Sequence, residues 1–134
     1  MIAVDSSVVI AGFASWHELH ERARGVLERN ARLPAHSALE SYAVLTRLPP
    51  PQRVPPPLVL EFLADRFPQP LLSLSPKRYR TFLDGLGARG ISGGATYDAL
   101  IAAVASSAGS VLATCDRRAL ATYERCGAEV EFLG

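Results

Sequence analysis

Four acidic residues lie in sequence contexts where a free carboxylate is costly or unusually placed. Asp98 lies inside the most apolar helix-like segment of the chain, GGATYDALIAAVASSAG at residues 93–109. Asp5 and Asp116 directly follow the strand-like segments IAV and VLATC, and Glu40 has small or apolar neighbours in HSALESYAVL. An unpaired carboxylate in an apolar environment is strongly unfavourable. These four residues, here called the acidic quartet, therefore require a compensating partner.

Each acid by itself also has an ordinary structural explanation. An acid after a strand often caps the following helix, and an acid in a first helical turn is favoured by the helix dipole. If the quartet converges, however, His36 and Lys77 cannot relieve its mutual repulsion alone. The simplest compensating charge is a divalent cation with oxygen ligands, Mg²⁺ or Mn²⁺. Two nearby hydroxyl residues are candidates to orient ligands or waters: Ser6 and Thr114.

Strand-like and helix-like segments alternate along the chain, which is typical of an α/β domain. We predict strands at residues 2–4, 70–74, 110–115 and 128–133, and a strand or turn at 33–36. Helices are predicted at 6–13, 17–30, 37–47, 57–67, 76–90, 93–109 and 117–125. This alternation predicts a mostly parallel central sheet of about five strands with helices on both faces. The carboxyl ends of such strands form a ligand crevice, to which Asp5 and Asp116 belong. Ser6 is the expected N-cap of the first helix.

Composition limits the classes of protein that this chain can represent. With 134 residues, 49% of them apolar, it is expected to form one domain with a sizeable core. No apolar segment approaches the length of a membrane span, and the first residues lack a basic signal region, so we expect a cytoplasmic protein. A net charge of +1 gives no global basic field for nucleic acid. Cys115 and Cys126 have no metal-binding or disulfide spacing.

Four short motifs carry a family resemblance. VDSS at 4–7, ALES at 38–41, TYDALIAAVA at 96–105 and LATCD at 112–116 resemble the PIN domain family. More narrowly, they resemble the VapC toxins of bacterial type II toxin–antitoxin modules. The resemblance spans the whole chain and implies one PIN domain over residues 1–134.

The resemblance also implies an activity and a site. It implies a toxin that is a Mg²⁺-dependent endoribonuclease, with Mn²⁺ as a substitute metal. It assigns the acidic metal and catalytic site to Asp5, Glu40, Asp98 and Asp116, with Thr114 as the accompanying hydroxyl. The metal would activate a water for attack on an RNA phosphodiester. A VapB-like antitoxin partner and a homodimer are further implications.

Other interpretations remain open from the residues. A carboxylate-metal phosphatase would use the same acids, and a non-catalytic RNA-binding or protein-binding module would share the fold. A receiver-type signalling domain needs a lysine near the last strand. It is disfavoured because Lys77, the only lysine, precedes a middle helix. Arg117 and Arg118 are weak candidates for holding RNA phosphates, since a solvated surface explains them equally well.

The apolar content of the chain suggests a protein partner. We predict a groove between the first two helices, where Val9, Phe13, Trp16 and Leu19 provide apolar anchors. An amphipathic antitoxin segment would lie there and direct a basic residue toward the carboxylates. The alternative for Trp16 is an ordinary place in the core.

Overall fold

The computed structural model describes residues 1–134 as an α/β fold with seven α-helices and a parallel sheet. No helix is both long enough and apolar enough to cross a bilayer. The elements in chain order are β1 (Ile2–Val4), α1 (Ser6–Phe13), α2 (His20–Leu27), α3 (Ala35–Arg47), α4 (Pro56–Arg66), α5 (Pro76–Gly85), α6 (Ala95–Ser107), β2 (Val111–Thr114), α7 (Leu120–Arg125) and β3 (Val130–Phe132). Two 3₁₀ turns, Gly87–Arg89 and Arg117–Ala119, precede α6 and α7.

The sheet is wholly parallel and has the strand order β1-β2-β3. Side chains alternate between its two faces, which explains why apolar residues fill both. Ile2 and Val4 pack into a core cluster with residues of α1 and α2, whereas Ala3 and Leu112 pack with residues of α6 and α7. The prediction of an α/β fold with a parallel sheet covered on both faces is thus confirmed.

The prediction of about five strands is wrong, because the sheet has three. The segments 33–36 and 70–74 contribute one isolated parallel bridge, between Pro34 and Leu72, and Arg32 forms another with β1. Proline has no N–H to donate to a ladder, so the pairing with β1 that Arg32 forms does not continue at Pro34. The helix α3 begins at the next residue, which removes the chain from the sheet.

The first helix is capped one residue earlier than predicted. Asp5, and not Ser6, is the N-cap of α1, and its Oδ1 accepts a hydrogen bond from the Val8 N–H at 3.2 Å. Ser6 is the first helical residue, which leaves its hydroxyl free to contact a side chain of another helix. The buried cap places the Asp5 carboxylate at the end of β1.

Candidate functional site

The strand ends and two helices bring the acidic quartet to one edge of the sheet. Asp5 follows β1 and Asp116 lies two residues after the end of β2, and these strands are parallel neighbours. Glu40 comes from α3, and Asp98 from the first turn of α6. All four carboxylates are close enough to interact electrostatically, since Glu40, Asp116 and Asp5 each raise the pKa of Asp98.

Asp5 is the most deeply buried member of the quartet, at 3% exposed. Its carboxylate accepts hydrogen bonds from the hydroxyls of Ser7 and Thr114, each at 2.5 Å, and from Tyr123 Oη at 2.7 Å. Burial raises the pKa of Asp5, and these hydrogen bonds, with that from Val8, oppose the rise. The carboxylate is therefore held in one orientation by groups from three different elements.

The same hydroxyls connect the ends of β1 and β2. Ser7 Oγ accepts a hydrogen bond from the Cys115 N–H at 2.8 Å, and Thr114 Oγ1 accepts one from the Asp116 N–H at 3.0 Å. Each hydroxyl donates to Asp5 and accepts from the segment after β2, so both donor and acceptor roles are satisfied. These hydrogen bonds link the Asp5 carboxylate to the backbone on either side of Cys115, and so they limit how far Asp5 and Asp116 can move relative to each other.

A cysteine beside this network is a poor nucleophile at neutral pH. Burial, and secondarily the charge of Asp5, raises the pKa of the Cys115 thiol to about 11. A thiol with this pKa is almost entirely protonated at neutral pH, and the thiolate is the nucleophilic form. Cys115 therefore offers no alternative nucleophile to the carboxylate chemistry.

Glu40 is positioned by contacts from two helices. Ser6 Oγ donates a hydrogen bond to Glu40 Oε1 at 2.6 Å, which joins α1 to α3. His36, one turn earlier on α3, places Nε2 at 3.9 Å from Glu40 Oε2. Ser6 and Thr114 are thus each hydrogen-bonded to an acid of the quartet, as expected for groups that orient carboxylates.

Asp98 carries the clearest electrostatic signature of the site. Burial raises its pKa to about 6, with further contributions from Glu40, Asp116 and Asp5, and with opposition from His36. Loss of hydration disfavours the charged form of this carboxyl group, and the three neighbouring acids add electrostatic repulsion that His36 only partly offsets. Such clusters of perturbed carboxyl groups are concentrated at functional sites.

The donor chemistry of the quartet suits a hard divalent cation. Carboxylate and hydroxyl oxygens are the preferred ligands of Mg²⁺ and Mn²⁺. No three His, Cys, Asp or Glu side chains are arranged as a ligand set in this conformation. The residues therefore match such a cation in chemistry and charge, while their side chains are not in a ligating arrangement.

The two candidate phosphate-binding arginines differ in their surroundings. The guanidinium of Arg117 lies 5.0 Å from the centroid of the Phe132 ring, a cation–π contact with β3. Arg118 has a side chain that is 96% exposed, and its Nε is 3.8 Å from Asp116 Oδ1. Arg118 is thus the freer of the two and lies directly beside an acid of the quartet.

Sequence reasoning missed two residues that contact the quartet. Ser7 is adjacent to the predicted Ser6, and the VDSS motif contains both hydroxyls. Tyr123 is 1% exposed and reaches Asp5 from 118 residues away. Burial, followed by the nearby charge of Asp5, raises its pKa, so Tyr123 stays a hydrogen-bond donor. No local pattern marks a contact over this sequence separation.

The prediction of a groove between the first two helices is wrong. Val9 is 0% exposed, and Phe13 packs edge-on against Phe62 of α4, with ring centroids 5.0 Å apart, so neither faces a groove between α1 and α2. Trp16 is 58% exposed, which also excludes a place in the core. An apolar groove of about 560 Å³ lies instead between α3, α4 and the segment that follows α4. Its lining includes Leu33, Ala38, Leu39, Tyr42, Leu60, Leu63, Phe67 and Leu71.

Comparison with known sequences gives matches over nearly the whole chain. The family model for the PIN domain matches residues 2–125. The chain is 50% identical over 133 residues to Ribonuclease VapC40 of Mycobacterium tuberculosis, which covers 99% of both chains. It is 40% identical over 130 residues to Ribonuclease VapC27 of the same species, covering 96% of this chain and 94% of VapC27.

Comparison with solved structures gives the same fold at low sequence identity. The structure of FitAB bound to an IR36 DNA fragment matches with a TM-score of 0.74 and 17% identity, over 98% of this chain and 94% of that chain. The crystal structure of FitAcB from Neisseria gonorrhoeae matches with a TM-score of 0.69 and 19% identity, over 97% and 96%.

Proposed function

We propose that this chain, which belongs to the PIN domain family and within it to the VapC toxins, is a Mg²⁺-dependent endoribonuclease formed by one domain over residues 1–134. The observation that carries the proposal is the acidic quartet at the end of the parallel sheet, where burial and, secondarily, the three other acids raise the pKa of Asp98 to about 6. Two similar proteins are named ribonucleases, which supports this activity. We place its action in the cytoplasm.

The quartet would hold the metal through carboxylate oxygens. Asp5 and Asp98 are the strongest ligand candidates, Asp116 is the next, and Glu40 either binds directly or positions a water. Held by these residues, Mg²⁺ or Mn²⁺ would supply Lewis acidity that favours deprotonation of a water and would offset negative charge on the phosphate. Clustering of the acids raises the free energy of the metal-free site and so favours uptake of a cation.

The hydroxyl residues contribute by limiting carboxylate motion. Thr114, Ser7 and Tyr123 hold Asp5, and Ser6 holds one oxygen of Glu40. A carboxylate with a fixed orientation loses little conformational entropy when it takes up a ligand or positions a water. Arg118 would contact a phosphate that flanks the cleaved bond.

RNA cleavage is the direct test of this function. Purified protein should cut single-stranded RNA in Mg²⁺ or Mn²⁺, stop in excess chelator, and lose activity on Asp5→Asn. Undiminished cleavage in chelator would contradict the metal mechanism. Hydrolysis of a small phosphomonoester without RNA cleavage would favour a phosphatase, and RNA binding without cleavage would favour a binding module.

A VapB-like antitoxin is the proposed partner, and the groove between α3 and α4 is its proposed docking surface. The groove is lined mainly by apolar side chains, and Leu39 and Leu60 are 66% and 56% exposed within it. An amphipathic helix would bury these residues. Because α3 also carries Glu40, a basic residue of that helix would be attracted to the quartet and would compete with the metal. A homodimer of the toxin is proposed as well.

Co-expression with the product of the gene immediately upstream tests the partner. A stable, inactive complex should form, and Leu60→Asp should weaken it without unfolding the toxin. Leu83→Asp is the matched control, because Leu83 is 50% exposed on α5 and lies outside the groove. Equal effects of the two substitutions would argue against docking in the groove. Light scattering of the free protein measures whether it is a dimer.

A further inference from the structure

Two aromatic side chains form a stacked pair at the margin of the acidic quartet. The rings of His36 and Tyr97 are nearly parallel, at 2° between planes, and their centroids are 5.3 Å apart. His36 precedes Glu40 by one turn of α3, and Tyr97 directly precedes Asp98 on α6. The pair therefore joins the two helices that carry half of the quartet.

The Tyr97 ring remains open to solvent although it is stacked. Tyr97 is 55% exposed, whereas the His36 side chain is 23% exposed, so Tyr97 is the more open ring of the stacked pair. A shallow cavity of about 250 Å³ opens here. Its lining consists of His36, Leu39, Glu40, Ala43 and Tyr97. This volume is below that of a typical pocket for a drug-sized ligand, which leaves room for one small ring system.

We propose that Tyr97, supported by His36, is a stacking platform for an unpaired nucleobase of the RNA strand whose phosphate lies at the acidic quartet. The inference rests on the proposed ribonuclease function and adds a base-binding subsite to it. Single-stranded RNA is recognised through bases that stack on aromatic side chains, with tyrosine and histidine among them. Stacking also binds RNA without placing a further phosphate in the negative potential of the quartet.

The cavity favours a base over an apolar protein side chain. Its wall includes Glu40, whose Oε2 is 3.9 Å from His36 Nε2 and beyond hydrogen-bond distance. An apolar side chain would desolvate this Oε2 atom without giving it a hydrogen-bond donor, which is unfavourable. The exocyclic amino group of adenine, guanine or cytosine can donate a hydrogen bond to it. One nucleobase can therefore donate a hydrogen bond from its edge to Glu40 while its face stacks on the Tyr97 ring.

RNA binding by tyrosine variants tests the platform. The probe is a fluorescently labelled single-stranded RNA in Mg²⁺, with every variant made in an Asp5→Asn background so that cleavage does not interfere. Tyr97→Ala and Tyr97→Leu should each weaken binding by about 5-fold or more, because an aromatic stack on one base contributes at least this much. Tyr97→Phe keeps the ring and should stay within about 2-fold of the parent.

Tyr79→Ala is the matched control. Tyr79 is 43% exposed on α5, contacts Phe82 edge-on and does not line the cavity beside Tyr97, so its removal takes away an exposed ring outside the proposed platform. It should leave RNA affinity unchanged. RNAs that lack one base at a time should reveal a single position at which the Tyr97→Ala effect disappears, which identifies the stacked base. Melting curves verify that each variant folds.

The outcomes separate this inference from the proposed function. Unchanged RNA affinity in both Tyr97→Ala and Tyr97→Leu would overturn the platform, even if the wild-type protein cleaves RNA. Loss of partner binding with unchanged RNA affinity would also overturn it and assign Tyr97 to a protein interface. If RNA binding depends on Tyr97 but the wild-type protein cleaves no RNA, the platform would be supported and the proposed nuclease function refuted.

Discussion

The buried carboxylate of Asp5 illustrates how single residues shape this site. Three hydroxyl groups and one backbone N–H donate to it and offset part of the cost of burying a carboxylate that is only 3% exposed. A hydrogen bond to a charged group contributes about 1.5–3 kcal/mol, roughly twice a neutral one. The orientation of Asp5 thus depends on side chains from α1, β2 and α7.

Removal of the Tyr123 hydroxyl should expose this dependence. Tyr123→Phe deletes one donor to Asp5 while keeping the buried ring, and we expect a loss of about 1–3 kcal/mol in the free energy of unfolding at pH 7. Urea denaturation measures the change, with Tyr79→Phe at an exposed site as the control. Equal stability of Tyr123→Phe and wild type would mean that the hydroxyl does not stabilise the Asp5 carboxylate.

Neutralisation of Asp98 should stabilise the metal-free protein. Its pKa is about 6 in the folded state against 3.8 as the ordinary value, so the unfolded chain releases its proton first. Stability therefore falls as pH rises from about 4 to about 6, and the full cost of the charge remains above pH 6. Asp98→Asn removes this cost and should add about 1–2 kcal/mol at pH 7, a figure reduced for solvent screening of a partly exposed group.

The pH dependence distinguishes this effect from a general change in packing. The advantage of Asp98→Asn should shrink as the pH falls below 6 and vanish below about 4, where both states are protonated. Denaturation in chelator at several pH values measures it, with Asp84→Asn on the exposed side of α5 as the control. A marked destabilisation by Asp98→Asn would instead assign Asp98 the role of a helix anchor.

At the scale of secondary-structure elements, the close approach of α1 and α2 helps to position α1 and hence Asp5, its N-cap. A Cβ added to Gly12 on α1 would lie 2.5 Å from Leu27 Cδ1 and 3.3 Å from its Cγ. Leu27 is itself only 3% exposed on α2, so it has little room to move. The absence of a side chain at Gly12 thus permits the contact that seats α1, whose N-cap is Asp5.

Two glycine substitutions test this packing. Gly12→Ala should lower the free energy of unfolding by about 1–2 kcal/mol, since overpacking outweighs the gain in helix propensity. Gly25→Ala on α2 is the matched control because its added Cβ meets nothing within 4 Å. It should raise stability by about 0.5–1 kcal/mol. Equal gains from both substitutions, measured by urea denaturation, would show that α1 and α2 are not tightly packed at Gly12.

At the scale of the whole molecule, a near-neutral chain concentrates negative charge at one place. The net charge is +1, with 14 basic and 13 acidic residues, yet four acids share one edge of the sheet. Binding of a cation at this edge would stabilise the folded state alone, because the unfolded chain separates the acids. The stability of the entire domain should consequently depend on divalent metal.

Thermal unfolding measures this linkage. Metal at ten times its Kd should raise the unfolding free energy by about 1.4 kcal/mol, equivalent to about 4 °C in Tm for a domain of this size. The shift should reverse in chelator and be smaller in Asp98→Asn. A Tm that is independent of Mg²⁺ and Mn²⁺ at millimolar concentration would refute metal binding, whatever the nuclease assay gives.

The sequence by itself determined the features that depend on short-range pattern. The alternation of apolar strands and amphipathic helices predicted the parallel α/β fold, because periodicity along the chain decides which faces are buried. Two of the acids directly follow strand-like segments, and one lies inside an apolar helix. These sequence contexts predicted a functional role for the carboxylates. The motifs around these acids also identified the family, whose model matches residues 2–125.

Only the tertiary structure decided the features that depend on contacts between distant segments. The sheet stops at three strands because Pro34 cannot extend the pairing, although the segments beside it look like strands in isolation. Tyr123 reaches Asp5 and the His36 and Tyr97 rings stack because helices far apart in sequence pack together. The apolar groove lies at α3 and α4 for the same reason: α1 uses its own apolar residues, such as Val9, in the core. Which apolar face stays open is determined by packing and not by composition.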